Sequence, residues 1–284
     1  MPSPSHNAEE NERTIVVQVS DLHLREGADG VGPAERLERA LAQVSTLQPY
    51  PDAVLVSGDV VDTPSRAAYE QARELLGALG LPVHVIPGNH DDRDMLRAHL
   101  GPEAAGAGGG GYEGERSGNG APVNFAVTCG GLRLVGCDTT QPGQDGGALG
   151  AEQLDWLDET LGHEPQTPTL LAMHHPPVLT GVRVMDAIAL APADRAPLEA
   201  MLEANPQVQA ITCGHVHTTM STSFAGRPLL ICPSTNSTVR LDLRPRDDLQ
   251  FTESDQPPGF AVHTLVDGRL VSHVQGVGRG GVSG

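Results

Sequence analysis

The chain has 284 residues, enough for one large α/β domain or two small ones. Hydrophobic residues make up 38% but aromatics only 3%, so a sizeable core has to be built from Val, Leu, Ile and Ala. A net charge of -18, from 18 basic and 36 acidic residues, lacks the basic footprint of a nucleic-acid binder and repels anionic membranes.

The four cysteines, Cys129, Cys137, Cys213 and Cys232, lie in or at the end of apolar runs and form no C-x-x-C. They read as buried reduced thiols. The first twenty residues contain no apolar core of signal-peptide length, so no signal peptide is expected. No run reaches the length of a membrane span. A cytoplasmic protein is expected.

In chain order, Met1–Glu12 reads as a disordered tail. Thr14–Ser20, with Ile15, Val16, Val17 and Val19, reads as a strand ending in Asp21-Leu22-His23. Pro33–Gln48 carries Leu37, Leu41, Val44 and Leu47 at helical spacing. Ala53–Ser57 is a second strand, ending in Gly58-Asp59. Ser65 is the expected N-cap of a helix through Leu79. Val83–Ile86 is a third strand, stopped by Pro87-Gly88 and followed by Asn89-His90-Asp91. A short helix is expected over Asp91–Leu100. This alternation argues for βαβ units and a parallel sheet.

Gly101–Gly120 reads as a Gly-rich surface loop. Gly130-Gly131, between Val123–Thr128 and Leu132–Cys137, signals a hairpin. Ala151–Leu161 is a helix. Leu170–Met173 ends in His174-His175, and Pro176-Pro177 bars an immediate helix. Asp194 is the expected N-cap of a helix to Asn205. Val208–Cys213 ends in Gly214-His215-Val216-His217. Thr218–Phe224, Leu229–Cys232, Ala261–Val266 and Leu270–Val274 read as short strands, giving the second half a mainly antiparallel sheet. Pro233–Pro258 is a long polar connection and Gly276–Gly284 a flexible tail. One domain over residues 13–275 is expected.

Five apolar runs thus deliver Asp, Asn or His at their C-terminal ends, where open α/β sheets place their chemistry. Any one of these loops alone is an ordinary turn. Together they supply Asp21, His23, Asp59, Asn89, His174, His215 and His217, too many donors for one first-row ion. They suit two ions that share one carboxylate and a hydroxide, with Asp59, alone after its strand, as the bridge. Asp-x-His and His-x-His place alternate residues on one side of an extended segment. Mixed N and O donors without thiolate suit Mn, Fe or Zn, and four imidazoles argue against Ca or Mg. Two ions about 3.5–4 Å apart form a clamp for phosphoryl transfer. His90, beside Asn89, is placed to help the leaving oxygen as a catalytic donor; the alternative is a hydrogen bond to a ligand carboxylate.

Asp21-x-His23, Gly58-Asp59, Gly88-Asn89-His90-Asp91, His174 and Gly214-His215-x-His217, in that order, resemble the calcineurin-like metallophosphoesterases. The match extends from about Ile15 to Val274. The resemblance implies a four-layer αββα sandwich, two mixed β-sheets flanked by helices. It implies that Asp21, His23, Asp59 and His217 hold one ion and Asp59, Asn89, His174 and His215 the other. His90 would be the catalytic histidine, and Asn89, His90 and His215 the substrate contacts.

Gly58-Asp59 is followed by Val60-Val61-Asp62-Thr63, without the Arg that the protein phosphatases of this superfamily carry there. A diester carries one charge where a monoester carries nearly two, so the missing cation leans toward diesters. Gly88-Asn89-His90-Asp91-Asp92 and Met173-His174-His175-Pro176-Pro177 look like the bacterial class III cyclic-nucleotide phosphodiesterases and the related glycerophosphodiesterases. A small 3′,5′-cyclic nucleotide such as cAMP is the expected substrate. A glycerophosphodiester or another small ester is the alternative, and a non-catalytic metal-binding scaffold is disfavoured. No long nucleic acid and no membrane are expected as partners, while a homodimer stays open. His175 is expected to pack away from His174. Asp62 and Asp91 read equally as helix-start or turn acids and as hydrogen-bond partners of the ligands. Asp138 is expected to be structural and His84 a satisfied core histidine.

Overall fold

Side chains in the first three strands point alternately to two buried faces, which forces helices onto one side and a second sheet onto the other. The computed structural model describes residues 13–101, 119–244 and 252–278. The first sheet has the order β13-β12-β1-β2-β3. It comprises β1 (Thr14–Val19), β2 (Ala53–Ser57), β3 (Val83–Ile86), β12 (Gly259–Val266) and β13 (Arg269–Gly276). β1, β2 and β3 run parallel, β12 pairs antiparallel with β1, and β13 pairs antiparallel with β12 at the edge. The helices α1 (Val31–Val44), α2 (Arg66–Gly77) and α3 (Arg93–Leu100) cover one face. There Ile15, Val17, Val54 and Val85 pack with Leu37, Leu41, Tyr69, Leu76 and Leu96.

The second sheet has the order β4-β5-β6-β7-β9-β8. Its strands are β4 (Phe125–Cys129), β5 (Leu132–Cys137), β6 (Thr169–Met173), β7 (Val208–Cys213), β8 (Met220–Phe224) and β9 (Arg227–Ile231). The helices α4 (Gly150–His163), α5 (Arg183–Asp186) and α6 (Pro192–Ala204) come from its connections. Trp156, Leu157, Leu198 and Leu202 pack with Val135, Leu171 and Ile211 on its outer face. Between the sheets, Val16, Leu55 and Ile86 meet Phe125, Leu134, Leu170 and Ala210. The arrangement is the expected αββα sandwich of two mixed sheets. Two minor strands, β10 (Thr238–Val239) and β11 (Glu253–Ser254), lie in the polar connection.

The expectation of a mainly antiparallel second half does not hold. β5, β6, β7 and β9 are parallel, and only β4 and β8, at the two edges, are antiparallel. Crossovers through α4 and α6 return the chain to the same end of the sheet, which makes successive strands parallel. β12 and β13 do pair antiparallel, but within the first sheet. The tail Met1–Glu12, nearly all of Gly101–Gly120 and residues 279–284 lie outside the described residues, while Gly276 still belongs to β13.

Two caps also differ from expectation. Asp194 sits inside α6, which starts at Pro192 after Ala191. Its carboxylate instead accepts the N–H groups of Leu149 and Gly150 at 2.8 and 3.3 Å and so caps α4. The third helix starts at Arg93, capped by Asp92 through the Met95 N–H at 2.9 Å. Asp91 is thereby free of helix duty.

Candidate metal centre

Beyond the ends of β1 and β2 the two loops keep zipping together. Asp21 N–H donates to Gly58 O, His23 N–H to Asp59 O and Leu24 N–H to Val60 O, each at 3.0 Å. In the second sheet Gly214 N–H donates to His174 O at 3.2 Å. His215 N–H crosses between the sheets to the Asp21 carboxylate at 3.0 Å. The loops therefore hold their side chains against one point.

Asp21, His23, Asp59, His215 and His217 all have positive φ, between 45° and 70°. The extended geometry expected for Asp21-x-His23 and His215-x-His217 is thus replaced by left-handed residues, a conformation Asp and His tolerate better than branched residues do. Such residues cluster at functional sites because the surrounding structure must enforce them. Gly58, at φ +98°, has no room for a side chain: a Cβ there would strike the His174 ring and come within 2.8 Å of Gly88 N.

All seven expected ligands converge. Ligand atoms of Asp21, His23, Asp59 and His217 lie within 4.8 Å of one another. His23 Nε2 is 3.0 Å from His217 Nε2 and 3.6 Å from Asp59 Oδ2. His217 Nε2 is 3.5 Å from Asp21 Oδ1. On the other side of Asp59, His174 Nε2 is 3.5 Å from its Oδ2 and 3.2 Å from Asn89 Oδ1. Asn89 Oδ1 is also 3.1 Å from His215 Nδ1. Asp59 is common to both groups.

The donors are oriented from behind. His174 Nδ1 donates to Ser57 O at 2.8 Å, which leaves the Nε2 lone pair facing the centre. His23 Nδ1 lies 3.3 Å from Asp62 Oδ1. Two imidazole Nε2 atoms 3.0 Å apart beside two carboxylates make a cluster of lone pairs that a cation neutralises. The donor set fits a dinuclear metal centre.

Proton affinities agree. Burial disfavours charged His174, yet the Asp59 charge and hydrogen bond raise its pKa to about 9. Burial likewise opposes charge on His23, but Asp62, Asp59 and Asp21 raise its pKa. Burial works against ionised Asp59, and the His174 charge nonetheless holds it well below the ordinary carboxylate range. Burial lowers His215 and His217, with neighbouring imidazoles adding to the effect. The carboxylates thus raise the proton affinity of His174 and His23, and a bound cation would compete with protons for the same lone pairs.

His90 lines the cleft over this cluster. Its N–H donates to Asp59 Oδ1 at 2.9 Å, and its Nδ1 bonds Asp62 O at 2.8 Å. Its ring meets His23 edge-on, with centroids 4.8 Å apart. The Asp62 carboxylate also pairs with Arg25 Nε at 3.2 Å. The His23 hydrogen bond, then the Arg25 charge, hold its pKa at about 2 against burial.

The remaining residues fall into structural places. Both nitrogens of His175 are engaged, Nδ1 with Thr139 Oγ1 at 2.8 Å and Nε2 with Asp145 O at 3.1 Å, and burial lowers its pKa to about 3. Asp138 pairs with Arg93 Nε at 2.8 Å and accepts from Val123 and Thr140 N–H. His84 packs near Phe125, its pKa lowered to about 4 by burial. The cleft has a volume of about 180 Å³ and further residues that the sequence reading missed: Arg25, Met185, Ile188, Asn236, Ser237, Val239 and Glu253. Asn236 and Ser237 lie in the loop that follows the C-terminal end of β9, the same kind of position as the candidate ligands.

The profile of the family described as calcineurin-like phosphoesterase matches residues 15–219. A probable glycerophosphodiester phosphodiesterase GpdQ of Arcobacter nitrofigilis is 30% identical over 270 residues, covering 93% of this chain and 94% of that one. A probable cyclic nucleotide phosphodiesterase of Synechococcus is 34% identical over 252 residues, covering 86% and 85%. A cAMP/cGMP dual specificity phosphodiesterase of Mycobacterium tuberculosis is 32% identical over 267 residues, covering 89% and 79%. Among solved structures, a dimetal phosphatase from Danio rerio superposes with a TM-score of 0.66 at 15% identity, over 93% of this chain and 96% of that one, a likeness of fold. With its motif loops gathered round one centre and its two sheets stacked in the same way, the chain belongs to the calcineurin-like phosphoesterase family and is a metal-dependent phosphoesterase.

Proposed function

We propose that this chain hydrolyses small phosphodiesters, with 3′,5′-cyclic nucleotides as the preferred class. Asp21, His23, Asp59 and His217 would hold one cation and Asp59, Asn89, His174 and His215 the second, with Mn, Fe or Zn as the metals. The observation that carries this is the shared Asp59 Oδ2, 3.6 Å from His23 Nε2 and 3.5 Å from His174 Nε2. When bound, two such ions supply Lewis acidity at the phosphoryl oxygens and a nucleophile at neutral pH.

The chain's own residues do the rest. Asn89, His90 and His215 contact the phosphoryl group. His90, its Nδ1 anchored on Asp62 O, presents Nε2 to the leaving oxygen as hydrogen-bond or proton donor. A diester is favoured because the nearby guanidinium groups are committed. Arg93 is bound to Asp138 and Thr140, and Arg25 to Asp62. The similarity to cyclic-nucleotide enzymes supports the preferred class, and the similarity to the Arcobacter protein keeps glycerophosphodiesters as a second reading. Four free thiols, three of them buried, suit a reducing compartment such as the cytoplasm.

The test is a metal-reconstituted enzyme assayed on cyclic AMP, cyclic GMP, 2′,3′-cyclic AMP, a glycerophosphodiester and a plain monoester. The expected result is close to two first-row ions per chain by elemental analysis and the highest kcat/KM on a 3′,5′-cyclic nucleotide. A monoester cleaved faster than every diester would overturn the reading.

A further inference from the structure

We propose that Met185, Ile188, Val239 and Asn236 form a nucleobase subsite beside the metal centre. The inference rests on the phosphodiesterase reading and names the part of the substrate that sits away from phosphorus. All four residues line the same cleft as His23, Asp59, Asn89 and His90. Nothing in phosphoryl transfer needs an apolar wall. A glycerol or ethanolamine group, polar throughout, gains nothing from one, whereas the faces of an aromatic base do.

The wall is held in place before any ligand arrives. Asp186, in the same short helix as Met185, accepts the Thr180 N–H at 2.6 Å, the Gly181 N–H at 3.0 Å and the Thr180 hydroxyl at 2.8 Å. Met185 is buried and packs in the second-sheet core, so its position is set by that core. Val239 belongs to the same core and lies on β10, which pairs with β11. A wall fixed in advance loses little entropy on binding.

The polar partner is oriented as well. Arg36 Nη1 donates to Asn236 Oδ1 at 2.7 Å. A guanidinium has no acceptor, so the amide oxygen must face it, and Nδ2 is the group left for a ligand. Nδ2 makes no hydrogen bond to another described residue. The subsite therefore offers a donor, which suits the ring-nitrogen or carbonyl acceptors of a base. The Glu253 carboxylate on the same cleft offers an acceptor for an exocyclic amine. An acceptor edge and a donor edge on one flat apolar body describe a nucleobase.

The experiment measures binding of adenosine 5′-monophosphate and of inorganic phosphate to the metal-loaded protein by calorimetry, beside kcat/KM on cyclic AMP and on glycerophosphoethanolamine. Wild type should bind the nucleotide at least tenfold more tightly than phosphate. Ile188→Ala and Asn236→Ala should each cut that ratio about tenfold, and the cyclic AMP to glycerophosphoethanolamine kcat/KM ratio by a similar factor. Ile188 is only partly buried, so its truncation tests the wall without emptying the core as Met185→Ala would. Equal affinity of wild type for nucleotide and phosphate, or ratios unmoved by both substitutions, would overturn the subsite. Failure of the phosphodiesterase reading looks different: no diester is hydrolysed, while the binding ratio still reports on the base.

Discussion

The Asp91 carboxylate reaches from the loop after β3 to the backbone N–H of Val60, 3.1 Å away in the loop after β2. It also accepts the N–H groups of Gly88 and Val61 at 2.9 and 3.3 Å and the Tyr69 hydroxyl at 3.0 Å. One side chain thus fixes the spacing between Asp59 and Asn89. Asp91→Ala should leave buried donors without partners, at about 1–3 kcal/mol for each that water does not reach. It should also weaken metal affinity on the order of 10–100-fold, as loss of an orienting residue does. Denaturant unfolding and a metal titration check both; a variant with wild-type stability and affinity would refute the tie.

Asp59→Ala should be worse than loss of any unshared ligand, since Asp59 faces both His23 and His174. Elemental analysis should find both ions depleted. Asn89→Ala removes a neutral, weaker donor from one side only, and should leave close to one ion per chain. Two ions retained in Asp59→Ala would end the bridging assignment.

For His90, the leaving group is the probe. A nitrophenolate departs readily without help, and a ribose 3′-alkoxide does not. General acid assistance is typically worth about 10²–10⁴-fold. His90→Ala should cut cyclic-nucleotide hydrolysis by roughly that factor and aryl diester hydrolysis far less, with metal content unchanged. Equal losses restored by excess Mn²⁺ would instead assign His90 to orienting a ligand.

Acid should destabilise the protein through a residue outside the candidate ligand set. His263 is fully buried, and burial lowers its pKa to about 4, with His273 adding to the effect. Its Nε2 bonds Gln18 Oε1 at 2.9 Å and its Nδ1 bonds Ser272 Oγ at 2.8 Å. The unfolded chain takes up this proton near pH 6.5 and the folded one only near pH 4. The stability is therefore fully present above about pH 6.5 and lost as pH falls toward 4, up to about 3 kcal/mol from this group. Urea midpoints between pH 7 and 4 should show that slope, and His263→Gln should flatten it. An unchanged slope would assign the acid sensitivity elsewhere.

The first hundred residues were readable because each strand is a short apolar run with a chemical residue at its end, as in Val83–Ile86 before Asn89. The seven candidate ligands are legible for the same reason. Strand partners were not: the pattern of Leu229–Cys232 marks a strand, yet nothing local says that it lies parallel to β7. Sequence places Asp194 as a cap of its own helix, but a carboxylate near a helix start serves whichever N–H groups lie closest in space, here those of α4. The cleft wall is hidden because Met185, in α5, and Ile188, just after it, carry no motif, and only their packing against the second-sheet core places them on the cleft.

The left-handed residues at the strand ends set the protein's activity against its sturdiness. Each non-glycine residue held there costs on the order of 1 kcal/mol. At Asp21, His23, Asp59, His215 and His217 glycine would relax the backbone and abolish a donor in one step. An idle version of this protein would therefore be easier to fold than a working one, and selection for heat resistance alone would erode the metal centre first.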